Sequence, residues 1–166
     1  MSQPRLGMRQ VVDWRAAFWA GLLGGVVFFL VSIVFSWLLL GDPWLYVRLI
    51  ASLVLGPSVI SIEEPFTVII LLVALAVLML LSVFYASVVA FVVHRWGWVL
   101  STLGGAILGL AFYVINFWTM SFLFPWVFPL RTWMLLLAHV AFGAFVGFIY
   151  ELLEEEEYVP VDPVAS

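Results

Sequence analysis

Four runs of apolar residues, from about Ala16 to Leu40, Phe66 to Val93, Trp98 to Phe124 and Thr132 to Tyr150, decide what this chain can fold into. A helix needs about 20 residues to cross a bilayer, and each run is close to that length or beyond it. In hydrocarbon every backbone N–H and C=O must find its partner inside the protein, which leaves helices or closed barrels. The runs are far longer than the roughly ten residues of a barrel strand. The predicted fold is therefore all-α: a polytopic membrane protein whose four transmembrane helices form a bundle. Composition points the same way, with 66% hydrophobic and 10% charged residues, where soluble domains carry about a quarter charged. The organisation that follows is an N-terminal segment (1–15), a transmembrane domain (16–150) and an acidic tail (151–166).

Orientation is read from arginine, since the chain has no lysine. Arg5, Arg9 and Arg15 precede the first run and Arg95 sits in the link between the second and third, while Arg48 and Arg131 fall on the other side. Positive residues favour the cytoplasmic side, so both termini are predicted to be cytoplasmic, in a bacterial inner membrane. The first run is too long for a cleavable signal and reads as an anchor.

The link from Gly41 to Pro65 is the long one. Within it, "PWLYVRLIASLVLGP" reads as a short amphipathic helix over 44–55, started at Asp42-Pro43 and stopped at Gly56-Pro57. It is too short to span. It either lies flat on the outer interface or dips in and returns, and the buried Arg48 that a dip requires favours the flat arrangement. "SIEEPF" then reads as the start of the second span, with Glu63 and Glu64 against the helix N-terminus and Pro65 in its first turn.

Each span carries small residues four apart: Gly21 and Gly25, Ala86 and Ala90, Gly105 and Gly109, Gly143 and Gly147. Such pairs let helix backbones approach closely where lipid supplies no hydrophobic drive. All four fall in the predicted cytoplasmic half. The outer half instead holds rings, among them Phe35, Trp37, Tyr113, Phe117, Trp118 and Phe122. The expectation is a bundle pinched at the cytoplasmic end and wider at the other. "GLLGGVVFFLV" and "STLGGAILGLAF" also echo each other, as a two-plus-two internal repeat would.

No Asp, Glu or Arg lies deep in a span. The deep polar residues are Asn116, Thr119, His139 and scattered serines. Asn116 and His139 lie at similar distances from the outer ends of antiparallel neighbours, so they can meet. Intramembrane polar groups are functional candidates. A neutral His139 bonded to Asn116 would be helix glue of about 1 kcal/mol. Alternatively, His139 is a cofactor ligand, with one imidazole nitrogen on a haem iron or chlorophyll magnesium. The absence of Cys excludes disulfides and thiol chemistry, and a net charge of −4 argues against nucleic acid. There is no HExxH or GxSxG and no buried carboxylate pair, so an enzyme is not expected. The run Glu154–Glu157 after the fourth span is read as a continuation of the helix, stopping before "VPVDP", either solvated or docking on a basic partner.

From Asn116 to Tyr150 the chain reads N-F, F-P-W, R-x-W, A-H, F-G-x-x-x-G and a closing Tyr. This resembles a loosely defined family of small bacterial four-span proteins, some labelled sodium:proline symporters although such symporters are several times longer. The resemblance implies four spans and gives weight to Asn116, Trp126, Arg131 and His139. The function expected is a non-catalytic accessory subunit of a larger membrane complex, respiratory or photosynthetic, with lipid and other membrane subunits as partners. The rival readings are a small transporter or channel with an outer vestibule at Asn116 and His139, and a haem- or chlorophyll-binding protein.

Overall fold

The computed structural model describes residues 8–61, 63, 65–155 and 157–160, except for the side chain of residue 130. Arg5, Glu64, Glu156 and residues 161–166 lie outside the described residues. The described chain runs β1 (Met8–Gln10), α1 (Trp14–Leu40), α2 (Leu45–Leu55), α3 (Val68–Val93), α4 (Gly97–Val114), α5 (Trp133–Leu153) and β2 (Tyr158–Pro160). Helix α4 continues through a π turn, Ile115–Thr119, and a 3-10 turn, Met120–Phe122. Helices α1, α3, α5 and the extended α4 are each long and apolar enough to cross a membrane.

The helix starts are set by caps. Asp13 accepts from the amides of Arg15 and Ala16 at the head of α1, and Thr132 accepts from Leu135 at the head of α5. The start of α3 is not where the acidic pair suggested. Thr67 is the cap and accepts from Ile70, so the helix begins at Val68, and Pro65 lies before it rather than in its first turn. A hydroxyl that accepts an orphan N–H outcompetes a dipole contact.

The bundle is knitted along two seams. Between α1 and α3, the Gly21 backbone lies against Val83 and Ala86, and Gly25 against Met79 and Ser82. Between α4 and α5 the approach is closer still: Gly105 faces Gly143 and Gly147, and Gly109 faces the His139 carbonyl. Ala90 belongs instead to a core layer with Ala16, Ala17 and Ala20. Because α3 runs along α1 while α4 runs along α5, the two helices joined by the tight His94–Trp96 link share little contact. Toward the end away from the termini, hereafter the loop end, residues of α2 and a cavity lie against both of them.

What fills the loop end is α2. It does not lie on the bundle as a surface helix: Tyr46, Val47, Arg48, Leu49, Ala51 and Ser52 are all buried. One side packs with Tyr113, Phe117, Val127 and Leu135 and another with Ile70 and Ala74. Trp126 Nε1 donates to Ser52 Oγ at 3.0 Å and Tyr46 pairs with Thr132 at 3.2 Å. Arg48, read as a reason against burial, is 5% exposed. Its Nη1 donates to the carbonyls of Val59 at 3.2 Å and Ser61 at 2.9 Å, and its guanidinium lies 5.6 Å from the Phe66 ring centroid. Backbone oxygens and a ring face replace the water it loses. Rings do not by themselves splay the helices. Tyr113 and Phe117 are buried, but Trp37, Trp118 and Phe122 point outward.

At the other end the tail folds back. Helix α5 stops at Leu153, and Glu154, Glu155 and Glu157 are not helical, correcting the expected extension. Carboxylates oppose the dipole at a helix C-terminus, and here they have other partners. Tyr150, fully buried, accepts from the Asp13 amide at 3.2 Å and donates to Glu154 at 2.9 Å. Gln10 donates to Glu154 at 3.3 Å, and β2 pairs antiparallel with β1, Arg9 opposite Val159.

Asp13 ties the ribbon to α1, since its second oxygen accepts from the Glu155 amide at 3.1 Å. Partial burial pushes this carboxyl up, but the amides of Ala16, Glu155 and Arg15 and the Arg15 charge outweigh that and hold it below the ordinary 3.8. A depressed folded value means the stabilisation is complete above about pH 3.8 and fades as pH falls through the folded value. Protection of the Ala16 and Glu155 amides, taken relative to the intrinsic exchange rate at each pH, is therefore expected to fall only below that pH. In Asp13→Ala both amides should be poorly protected at every pH, and an acid-induced loss of protection persisting there would assign the effect to another group.

Candidate functional site

The deep polar residues meet. Tyr85 of α3 donates its hydroxyl hydrogen to Asn116 Oδ1, in the π turn that extends α4. Asn116 Nδ2 lies 3.1 Å from His139 Nε2 on α5, and His139 Nδ1 lies 2.6 Å from the Leu135 carbonyl one turn back. A carbonyl only accepts, so Nδ1 carries the hydrogen and Nε2 accepts from Asn116. The tautomer is thereby fixed. The result is a directional relay, Tyr85 to Asn116 to His139 to the α5 backbone, joining three helices.

Rings wall the imidazole. Phe28 meets it edge to face at 5.1 Å between centroids, and Tyr113 and Phe117 stand at 5.6 and 6.1 Å. His139 is 7% exposed. A haem or chlorophyll ligand needs a ring nitrogen free for the metal, and both nitrogens are in hydrogen bonds. In this arrangement His139 acts as a strut, and an axial-ligand role would require Asn116 to release Nε2.

Beside the relay lies a partly open cavity of about 310 Å³. Phe28 and Ser32 of α1, Leu78 and Ser82 of α3 and Leu53 of α2 contribute walls, and Tyr85, Asn116 and His139 form its polar side. It sits between α3 and the extended α4, with half-buried Val77 and Leu81 on one bank and Met120 and Phe124 on the other. Residues Tyr46, Leu49, Ile50 and Leu53 of α2 line this chamber as well.

Three features here were not anticipated. Tyr85 read as one more ring in an apolar span. The π turn at Asn116 leaves no mark in the sequence, yet π turns often accompany functional sites. Ser32 is 2% exposed, and its hydroxyl has no hydrogen-bond partner. Of the small residues singled out, Gly109 and Gly143 come near the site, with the Gly109 backbone against the carbonyl of His139 itself. Gly21, Gly25, Ala86, Ala90, Gly105 and Gly147 lie in the seams and the core layer. Arg131 is exposed and lies over Phe128, its guanidinium 3.8 Å from the ring centroid, away from the relay.

Together these features define a four-span helical membrane bundle with a polar relay at its heart and a chamber alongside. Comparison of the chain with protein-family models, with curated proteins and with solved structures finds no match.

Proposed function

We propose that this is a non-catalytic membrane protein that holds one small lipid-soluble molecule in the chamber beside Asn116. The observation that carries the reading is convergence: an apolar-walled space of about 310 Å³ with polar groups from α1, α3, α4 and α5 on it. Ligand sites are built this way, mostly apolar with a few placed polar groups, and begin at about 300 Å³. The relay orients and rigidifies that wall.

The setting stays as inferred from the residues. Arg9, Arg15 and Arg95 gather at the end where the ribbon joins the termini, the Arg95 guanidinium reaching the Gln10 carbonyl at 3.5 Å, while Arg48 and Arg131 lie at the loop end. That asymmetry supports cytoplasmic termini in a bacterial inner membrane. A place as accessory subunit of a respiratory or photosynthetic assembly accords with a protein that stores or shields a lipid-soluble molecule. Fixed partners retained through purification in mild detergent would support it, and a lone particle would count against it.

Extraction of the purified protein into organic solvent, followed by mass spectrometry, tests the chamber. Wild type should yield one lipid-soluble species near one per chain. Leu81→Trp, which places an indole at the half-buried edge of the chamber, should lose it. Equal bulk lipid from both proteins would end the proposal.

A further inference from the structure

Resting on the chamber being a ligand site, we infer that its occupant is a neutral molecule with a hydrogen-bond-accepting carbonyl head, a ketone or quinone type, seated against Ser32 and Asn116. The argument begins with charge. No Arg, Asp or Glu lines the chamber among the described residues. A carboxylate or ammonium there would be left without a counter-charge in a low-dielectric interior, which is prohibitively costly. The head is therefore neutral.

The free hydrogens then choose its type. Ser32 lies on the chamber wall, 2% exposed, and its hydroxyl has no partner within the protein. An unsatisfied buried hydroxyl in an apolar wall is a standing cost that folded proteins rarely carry. Asn116 uses one amide hydrogen on His139 and its oxygen on Tyr85, so its second amide hydrogen remains to offer. Two donors on opposite helices suit an acceptor with two lone pairs, which a carbonyl oxygen has. The relay sharpens the choice. With one lone pair of its oxygen bonded by Tyr85 and one amide hydrogen given to His139, Asn116 keeps a hydrogen to offer the chamber, and His139, its nitrogens engaged, presents an aromatic edge.

The test uses matched ten-carbon probes: decan-2-one, decane and decanoate. Binding is followed by the thermal unfolding midpoint of the full chain in a non-ionic detergent. Decan-2-one should raise the midpoint most, decane less, and decanoate not at all. In Ser32→Ala the unliganded midpoint should rise, because the orphan hydroxyl is gone. Its affinity for decan-2-one should fall about three- to tenfold, one neutral hydrogen bond's worth, with decane unchanged. A purely structural serine would not separate the two probes. If decane and decan-2-one bind equally in both proteins, the head site is refuted while the chamber stands as an apolar ligand site. If neither binds wild type, the ligand reading itself fails, and this inference with it.

Discussion

Gly143→Ala should drive α4 away from α5 and cost about 3 kcal/mol, at the upper end of what overpacking does. A Cβ at Gly143 would lie 2.0 Å from the Gly105 carbonyl oxygen and 2.8 Å from the Gly109 nitrogen. Both are backbone atoms, so no rotamer change relieves the clash. The reverse substitution is equally blocked, since a Cβ at Gly105 would fall 2.1 Å from the Gly143 oxygen. Its neighbour supplies the control. A Cβ at Gly104 would meet a ring carbon of Trp96 at 2.6 Å, but that indole is a side chain, 45% exposed, and can swing aside where backbone cannot. Gly104→Ala should be near neutral or slightly stabilising, because alanine favours helix over glycine by up to about 1 kcal/mol. Unfolding in mixed micelles, followed by far-ultraviolet circular dichroism, reads both. Equal losses for Gly104→Ala and Gly143→Ala would show that seam closeness is not what holds α4 to α5.

The second large effect is expected at Asn116. Asn116→Leu removes two hydrogen bonds and strands the Tyr85 hydroxyl and His139 Nε2. Stranded buried groups cost about 1–3 kcal/mol each in water-soluble proteins, while measured couplings in membrane helices average nearer 0.6. A loss of about 2 kcal/mol is expected. Tyr85→Phe removes a single bond and should cost under half as much. The pair should be non-additive: once Asn116 is gone, removing the Tyr85 hydroxyl takes away an orphan and recovers stability. A double-mutant cycle in the same micelle assay measures this directly. Additive losses would mean the relay does not act as a unit.

The sequence carried the helices because burial in lipid writes them as uninterrupted apolar length. It carried the meeting of Asn116 and His139 because antiparallel helices convert distance from a turn into depth. It could not carry what tertiary competition decides. The acidic pair at 63–64 drew the expected start of α3 too early, because a capping hydroxyl at Thr67 is only one of several polar groups in that stretch until its bond to the Ile70 amide is seen. Arg48 looked too polar to bury, yet the carbonyls that accept from it come from Val59, in the 3-10 turn Pro57–Ile60, and from Ser61, which caps it, and neither residue type announces an arginine partner. The π turn over Ile115–Thr119 contains neither glycine nor proline to announce it. Tyr85 is indistinguishable in sequence from the rings that face lipid, such as Phe84 beside it, which is 60% exposed.

The ribbon that joins Met8 to Pro160 has a bearing on how the molecule is made. Its two strands flank all four apolar helices, so the first has no partner until the last of those helices has been made. Pairings between residues so distant in sequence are slow to form. Until then the helices cohere through their glycine seams, the core around α2 and the relay. The clasp therefore closes only after α5 has been made, and a chain cut between α5 and β2 would leave a bundle inserted but unfastened.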